Sequence, residues 1–242
     1  MTLTVGSLFS GIGGLDLGLE RAGFKVIWQS EIDPFASKVL KKHWPEVTNY
    51  GDIKQIDWRT VERPDVICGG YPCQPFSLAG ERKGTDDPRH LWPWVLEAIS
   101  RLRPKYAILE NVRGHLSMGG TTVIANLASI GYDAEWSIVR ASDFGAPHRR
   151  ERIFIIAYAN VQSDLPPKYT VGRNEPSVNT AGRLGLWDIY SRRGRWAAEP
   201  DFPRMGYGLP DRVDRVRGLG NAVVPQVAEY IGHLVMAAHN NS

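Results

Sequence analysis

Residues 3–23 constrain the fold more than any other stretch of this 242-residue chain. Leu3-Thr4-Val5-Gly6-Ser7-Leu8-Phe9 is a short apolar run. Ser10-Gly11-Ile12-Gly13-Gly14 follows at once, and Leu15, Leu19 and Ala22 then recur on one helical face before Gly23. Strand, glycine turn and helix in that order open an α/β unit with a mainly parallel sheet. Glycines in such a turn let a ligand approach the backbone at a helix N-terminus. The order is G-x-G-G rather than G-x-G-x-x-G, so the pyrophosphate spacing of dinucleotide-binding folds is missing.

A second strand over residues 25–29 runs into Ser30-Glu31-Ile32-Asp33-Pro34. An acid about 20 positions after the glycine turn is where a ribose diol finds a carboxylate acceptor, which makes Glu31 the candidate. Asp33-Pro34 has the chemistry of a helix start and predicts a helix over residues 35–43. Asp52, after a short strand near residues 47–50, forms a series with Gly11 and Glu31 that could meet an adenine edge.

The apolar run Asp65-Val66-Ile67-Cys68 ends in Gly69-Gly70-Tyr71-Pro72-Cys73-Gln74-Pro75-Phe76-Ser77. A buried strand running out into a loop places Cys73 just past a strand's carboxyl end, the edge where open α/β sheets bind ligands. Pro72 fixes its own φ and holds Tyr71 extended, a stiff mount for a nucleophile. Cys68, inside the strand, suits the role of a small buried hydrophobe. A helix over residues 91–102 leads into a strand over 105–112 whose last residues include Glu110 and Asn111. A carboxyl at the end of an apolar strand is desolvated, so its pKa rises and it can give a proton to a base nitrogen near neutrality. A core strand over residues 153–157 follows His148-Arg149-Arg150-Glu151-Arg152; at period 2, His148, Arg150 and Arg152 share a face and bring three donors to the sheet edge.

Two cysteines and six scattered histidines make neither a disulfide framework nor a zinc site. No apolar stretch approaches the ~18 residues of a membrane span, and residues 1–6 lack the features of a signal peptide. The sequence therefore predicts a soluble chain in a reducing compartment. Net charge is +3, but residues 140–217 hold 14 Lys and Arg against 9 Asp and Glu. Within that region, residues 160–205 have no clear period and interleave Arg183, Arg192, Arg193 and Arg195 with Trp187, Tyr190 and Trp196, a composition suited to phosphates and bases. Gly218-Leu219-Gly220-Asn221-Ala222-Val223-Val224-Pro225 then opens a helix with an apolar stripe of Val227, Ala228, Ile231, Leu234 and Val235, which must dock on the first domain.

Phe9-Ser10-Gly11-Ile12-Gly13-Gly14, Pro72-Cys73-Gln74, Glu110-Asn111-Val112, the Arg150-x-Arg152 pair and Gly220-Asn221-Ala222-Val223-Val224-Pro225 occur in the order of the cytosine-C5 DNA methyltransferase family. The resemblance covers residues 3–159 and 204–239. It implies a Rossmann-like α/β domain dependent on S-adenosyl-L-methionine (AdoMet) over residues 1–159, a small irregular target-recognition region over 160–205, and a C-terminal segment over 206–242 that completes the catalytic domain. It assigns catalysis to Cys73, Glu110, Asn111, Arg150 and Arg152. AdoMet is expected across Phe9, Gly11, Ile12, Gly13, Gly14, Glu31, Ile32, Asp52, Ile53, Pro72, Leu91, Asn221 and Val223, and DNA at Gln74, Ser77, His148 and the four arginines of the recognition region.

The implied protein is a cytoplasmic monomer of a bacterium or a phage-infected host, at the nucleoid. It acts on double-stranded DNA without metal or membrane, as an enzyme of the restriction-modification system type, and the sequence leaves open whether a cognate endonuclease accompanies it. Three features depart from the family pattern. Ile32 stands where tryptophan is usual, His148 where glutamine is frequent, and the recognition region is short, which predicts a site of about two to five base pairs. A nicotinamide-dependent oxidoreductase would use the glycine turn but leave Cys73 and Glu110 idle. A non-catalytic DNA-binding module would need no nucleophile, and a tRNA-directed relative would carry a different pattern near the recognition region.

Overall fold

The computed structural model describes residues 2–72, 91–115, 119–160 and 212–240. Its centre is a seven-stranded sheet: β1 (Thr4–Leu8), β2 (Lys25–Ser30), β3 (Thr48–Asn49), β4 (Val66–Gly69), β5 (Tyr106–Val112), β6 (Tyr132–Arg140) and β7 (Glu151–Ala159). The spatial order is β3-β2-β1-β4-β5-β7-β6. Strands β1 to β5 pair in parallel, and β7 inserts antiparallel between β5 and β6. The order reverses between β1 and β4, so the crevice outside their carboxyl ends is the topological switch point at which such sheets bind ligands.

The helices are α1 (Gly14–Arg21), α2 (Pro34–His43), α3 (Trp92–Leu102), α4 (Thr121–Ser129), α5 (Arg212–Asn221) and α6 (Pro225–Asn240). They cover both faces. On one, Val95, Ile99 and Leu127 pack on Leu8, Ile67 and Leu109; on the other, Leu15, Leu19, Ile231 and Val235 pack on Val5, Val26 and Ile108. Central strands buried on both sides explain why β4 and β5 are almost continuously apolar.

Local chemistry sets several boundaries. Asp33 caps α2 by accepting from the Phe35 and Ala36 N–H groups, and Pro34 fills the first turn where its missing N–H is harmless. In the first turn of the chain, Gly13 sits at φ 82° and caps α1, a left-handed conformation that side chains resist. Helix α5 was not expected from the sequence. Its Gly218 and Gly220 weaken the helical signal, and Pro225 starts the next helix rather than extending this one.

The period-2 reading of His148, Arg150 and Arg152 needs correction. Strand β7 begins only at Glu151, and Arg150 sits at φ 36°, so alternation does not run back through the turn. Arg150 and Arg152 nevertheless both act on Glu110, while His148 is exposed.

Candidate active site

The register of β5 against β7 builds the centre of the site. Val112 lies opposite Arg152, so Arg152 and Glu110, two residues before Val112, are diagonal neighbours on one face. Arg152 Nε lies 3.0 Å from Glu110 Oε1. Glu110 is 8% exposed, and burial pushes its carboxyl above the usual range against the opposing pull of Arg152 and Arg150. Its other oxygen faces β4: a methyl group on Gly70 would lie 2.9 Å from Oε2.

Arg150 reaches across the chain. Its Nη2 donates to the carbonyls of Gly220 at 2.8 Å and Ala222 at 2.6 Å, joining the turn before β7 to the end of α5 and the segment that follows it. That segment also touches the glycine turn, because the Val223 carbonyl packs where a side chain on Gly14 would stand. Asn111, buried beside Glu110, donates from Nδ2 to the Tyr71 carbonyl at 3.0 Å and accepts from the Val112 N–H at 2.8 Å. Tyr71 is fixed further by an OH···Nε2 hydrogen bond of 2.7 Å with His115 and by its ring against Trp92. The chain therefore leaves β4 through a pinned Tyr71-Pro72 pair. Cys73, Gln74 and Ser77, like Arg183, Arg192, Arg193 and Arg195, lie outside the described residues.

A cleft at the switch point is lined by Ser7, Phe9, Ser10 and Gly11 below, Gly70 and Glu110 on one side, and residues 221–223 on the other. Phe9 and Gly11 both have positive φ, which turns the backbone sharply at the end of β1. Glu31, at the end of β2, accepts from the Gly11 N–H at 2.8 Å and from the Asp33 N–H at 2.7 Å. A carboxylate has about four acceptor positions, so room remains for a diol. Asp52 caps the short helix Ile53–Gln55 through the Lys54 N–H. The Ile53 side chain is a core residue, Ile32 is 67% exposed, and Leu91 caps α3 half-buried.

Sequence reasoning gave no hydrogen-bond partners to Ser7, Ser10, Tyr71, His115 and Asp16, because those partners become visible only once the strands and loops are placed. Among the described residues there is no group of three or more His, Cys, Asp or Glu that could hold a metal, and no helix is long and apolar enough to cross a membrane.

A family model for C-5 cytosine-specific DNA methylase matches residues 3–192. The chain is 35% identical over 215 residues to the type II methyltransferase M.NaeI of Lentzea aerocolonigenes, covering 82% of this chain and 50% of that protein. With M.NlaX of Neisseria lactamica it shares 36% identity over 221 residues, 84% of this chain and 69% of that protein. The chain spans about half the length, or less, of several curated relatives it matches. Among solved structures, a Spodoptera frugiperda DNMT2 variant aligns with a TM-score of 0.58 and 25% identity over 72% of this chain and 54% of that one. The S. pombe Dnmt2 methyltransferase shares the fold at a TM-score of 0.69 and 18% identity, over 98% of this chain and 99% of that one.

Proposed function

The chain belongs to the C-5 cytosine-specific DNA methylase family, and from that premise we propose that it transfers a methyl group from AdoMet to C5 of a cytosine flipped out of double-stranded DNA. The observation that carries the reading is the buried Glu110–Arg152 pair, which opens into the same cleft as the glycine turn and the segment 221–223. Cytosine C5 is too weak a nucleophile to take a methyl group unaided. Addition of the Cys73 thiolate to C6, with a proton or hydrogen bond delivered to N3, makes C5 an enamine carbon that can. Glu110 serves N3, since burial keeps its carboxyl able to hold a proton. Arg152 orients that carboxyl and the base O2. Asn111 fixes the Tyr71 carbonyl and with it the entry to the Cys73 loop. When the C5 proton has left to water, the thiolate is expelled and the cysteine is restored. Flipping is required because C5 and C6 cannot be reached within the stack.

The lining of the cleft supports AdoMet as the cofactor. The sharp turn at residues 9–13, the free acceptor positions of Glu31 and the close approach of Val223 to Gly14 leave backbone rather than bulk along its walls. AdoMet supplies an activated methyl group on a sulfonium centre. Residues 9–14, Glu31, Asp52, Pro72, Leu91, Asn221 and Val223 hold it, with Ile32 and Ile53 contributing mainly backbone and shape. Residues 1–159 and 206–242 form the catalytic domain, and residues 160–205 read the DNA over about two to five base pairs with Arg183, Arg192, Arg193 and Arg195. Gln74, Ser77 and His148 contact the flipped strand. The protein works as a cytoplasmic monomer.

The test is covalent trapping. DNA containing 5-fluorocytosine cannot lose its C5 substituent as a proton, so wild-type protein with AdoMet should form a complex that survives denaturant. Equal trapping by Cys73→Ser, or failure only in a Cys68 variant, would overturn the assignment.

A further inference from the structure

The reaction leaves Asp16 without a task, yet Asp16 is the most deeply buried acid among the described residues, with 0% of its surface exposed. It lies in the first turn of α1. Ser7 Oγ donates to Oδ1 at 2.5 Å and Gln29 Nε2 donates to Oδ2 at 2.7 Å, so α1 is tied to β1 and β2. Ser10 Oγ donates in turn to Ser7 Oγ at 2.9 Å. Cys68 on β4 is a further neighbour; its thiol is pushed well above the ordinary range by burial and by the charge of Asp16.

None of these partners is a cation. Glu20, one turn along α1, acts on Asp16 with the same sign, and among the described residues no positive side chain opposes it. Burial outweighs the two hydrogen bonds and holds the carboxyl at about 6, so near neutrality the group is a largely ionised and incompletely compensated charge. A lysine or arginine beside it would cancel its field; neutral donors leave the field intact. The field reaches the cleft, because Ser7, Ser10 and Leu15 line it and two of them carry the Asp16 hydrogen-bond chain.

We propose that Asp16 is the buried counter-charge of the cofactor's sulfonium centre, acting through Ser7 and Ser10 and not by contact, so that the cleft prefers a positively charged ligand to the same ligand as a neutral thioether. The inference rests on the AdoMet reading given above. Methyl transfer leaves the electron pair of the broken carbon–sulfur bond on sulfur, which turns the sulfonium into a thioether and removes the positive charge. The acid that favours the methyl donor therefore gives no matching hold on the spent cofactor, so that fresh donor displaces it. An aspartate that merely joined α1 to the sheet would serve both ligands alike.

Calorimetry on the full chain separates the two roles. Wild-type and Asp16→Asn proteins are titrated with AdoMet, with S-adenosylhomocysteine, and with sinefungin, whose ammonium group stands in for the sulfonium. Asp16→Asn should bind AdoMet and sinefungin about tenfold more weakly, the scale of one partly screened charge–charge interaction, and S-adenosylhomocysteine within about twofold. Equal losses for all three ligands, or no loss for AdoMet, overturn the role of Asp16 while leaving the methyltransferase reading in place. A wild-type protein that binds none of the three overturns that reading and this role with it. Should Asp16→Asn not fold, Gln29→Leu keeps the carboxyl but removes a donor and so favours the neutral acid; the preference for AdoMet over S-adenosylhomocysteine at pH 7 should then fall about threefold. An unchanged preference overturns the proposal.

Discussion

The two walls of the cleft each bury one acid, and they treat it in opposite ways. Glu110, on the β5 wall, is met by Arg152 at 3.0 Å and by the more distant charge of Arg150. Asp16, beneath the β1 wall, is met by a hydroxyl and an amide. Burial raises both carboxyls, but only Glu110 has cations that pull the other way. On the proposed reading, the contrast separates a group that changes its proton during a reaction from one that keeps its charge. A fixed counter-ion orients the first; it would silence the second.

The largest expected effect comes from removing the acid on the β5 wall. Glu110→Gln should slow methyl transfer by about 10²- to 10⁴-fold, the usual contribution of a positioned proton donor. AdoMet binding should change little, which single-turnover transfer and calorimetry would measure side by side. A residual rate near that of wild type would erase the distinction between the walls.

Arg150→Met removes a partner on the same wall and leaves the Gly220 and Ala222 carbonyls without their donor. A loss of about 2 kcal/mol in urea unfolding is expected, as for charged hydrogen bonds that are partly solvent-screened. Arg150→Lys should restore part of it.

Asp16→Asn should have the opposite sign. The folded value of about 6 lies above the ordinary 3.8, so the native state holds this proton more tightly than the unfolded chain does. On its account stability falls as pH rises from about 4 to about 6, and a deficit of roughly 3 kcal/mol persists above that window. Removing the charge recovers the deficit, less about 1 kcal/mol for the disturbed Gln29 hydrogen bond. The variant should be more stable than wild type by about 1–2 kcal/mol at pH 8 and no more stable at pH 4, as denaturant melts at the two pH values would report. A variant less stable at both would mean that Asp16 is a structural tie and no more.

Much of this arrangement is legible in the residue order because it is local. Asp33-Pro34 announces the start of α2, the glycine turn announces the end of β1, and the apolar run before Glu110 announces a buried strand with a carboxyl at its tip. What escapes depends on register and on distant contacts. Nothing near Arg150 says that its partners are carbonyls 70 and 72 positions away. Asp16 looks like an acid suited to the first turn of a helix, and only the alignment of β1 with β2 brings Ser7 and Gln29 to it. The sequence pattern over 148–152 misleads because one residue with positive φ breaks the alternation.

The packing of α6 on α1 has a consequence for how the chain is made. Leu15 and Leu19 are covered by Val227, Ile231 and Val235, some 200 positions later. At ordinary elongation rates the ribosome needs roughly 10–40 s to travel that distance. For that interval the apolar side of the first helix has emerged and its cover has not been synthesised. The nascent polypeptide is thus a natural client for holding chaperones, and a chain cut short before Pro225 leaves Leu15 and Leu19 without that cover.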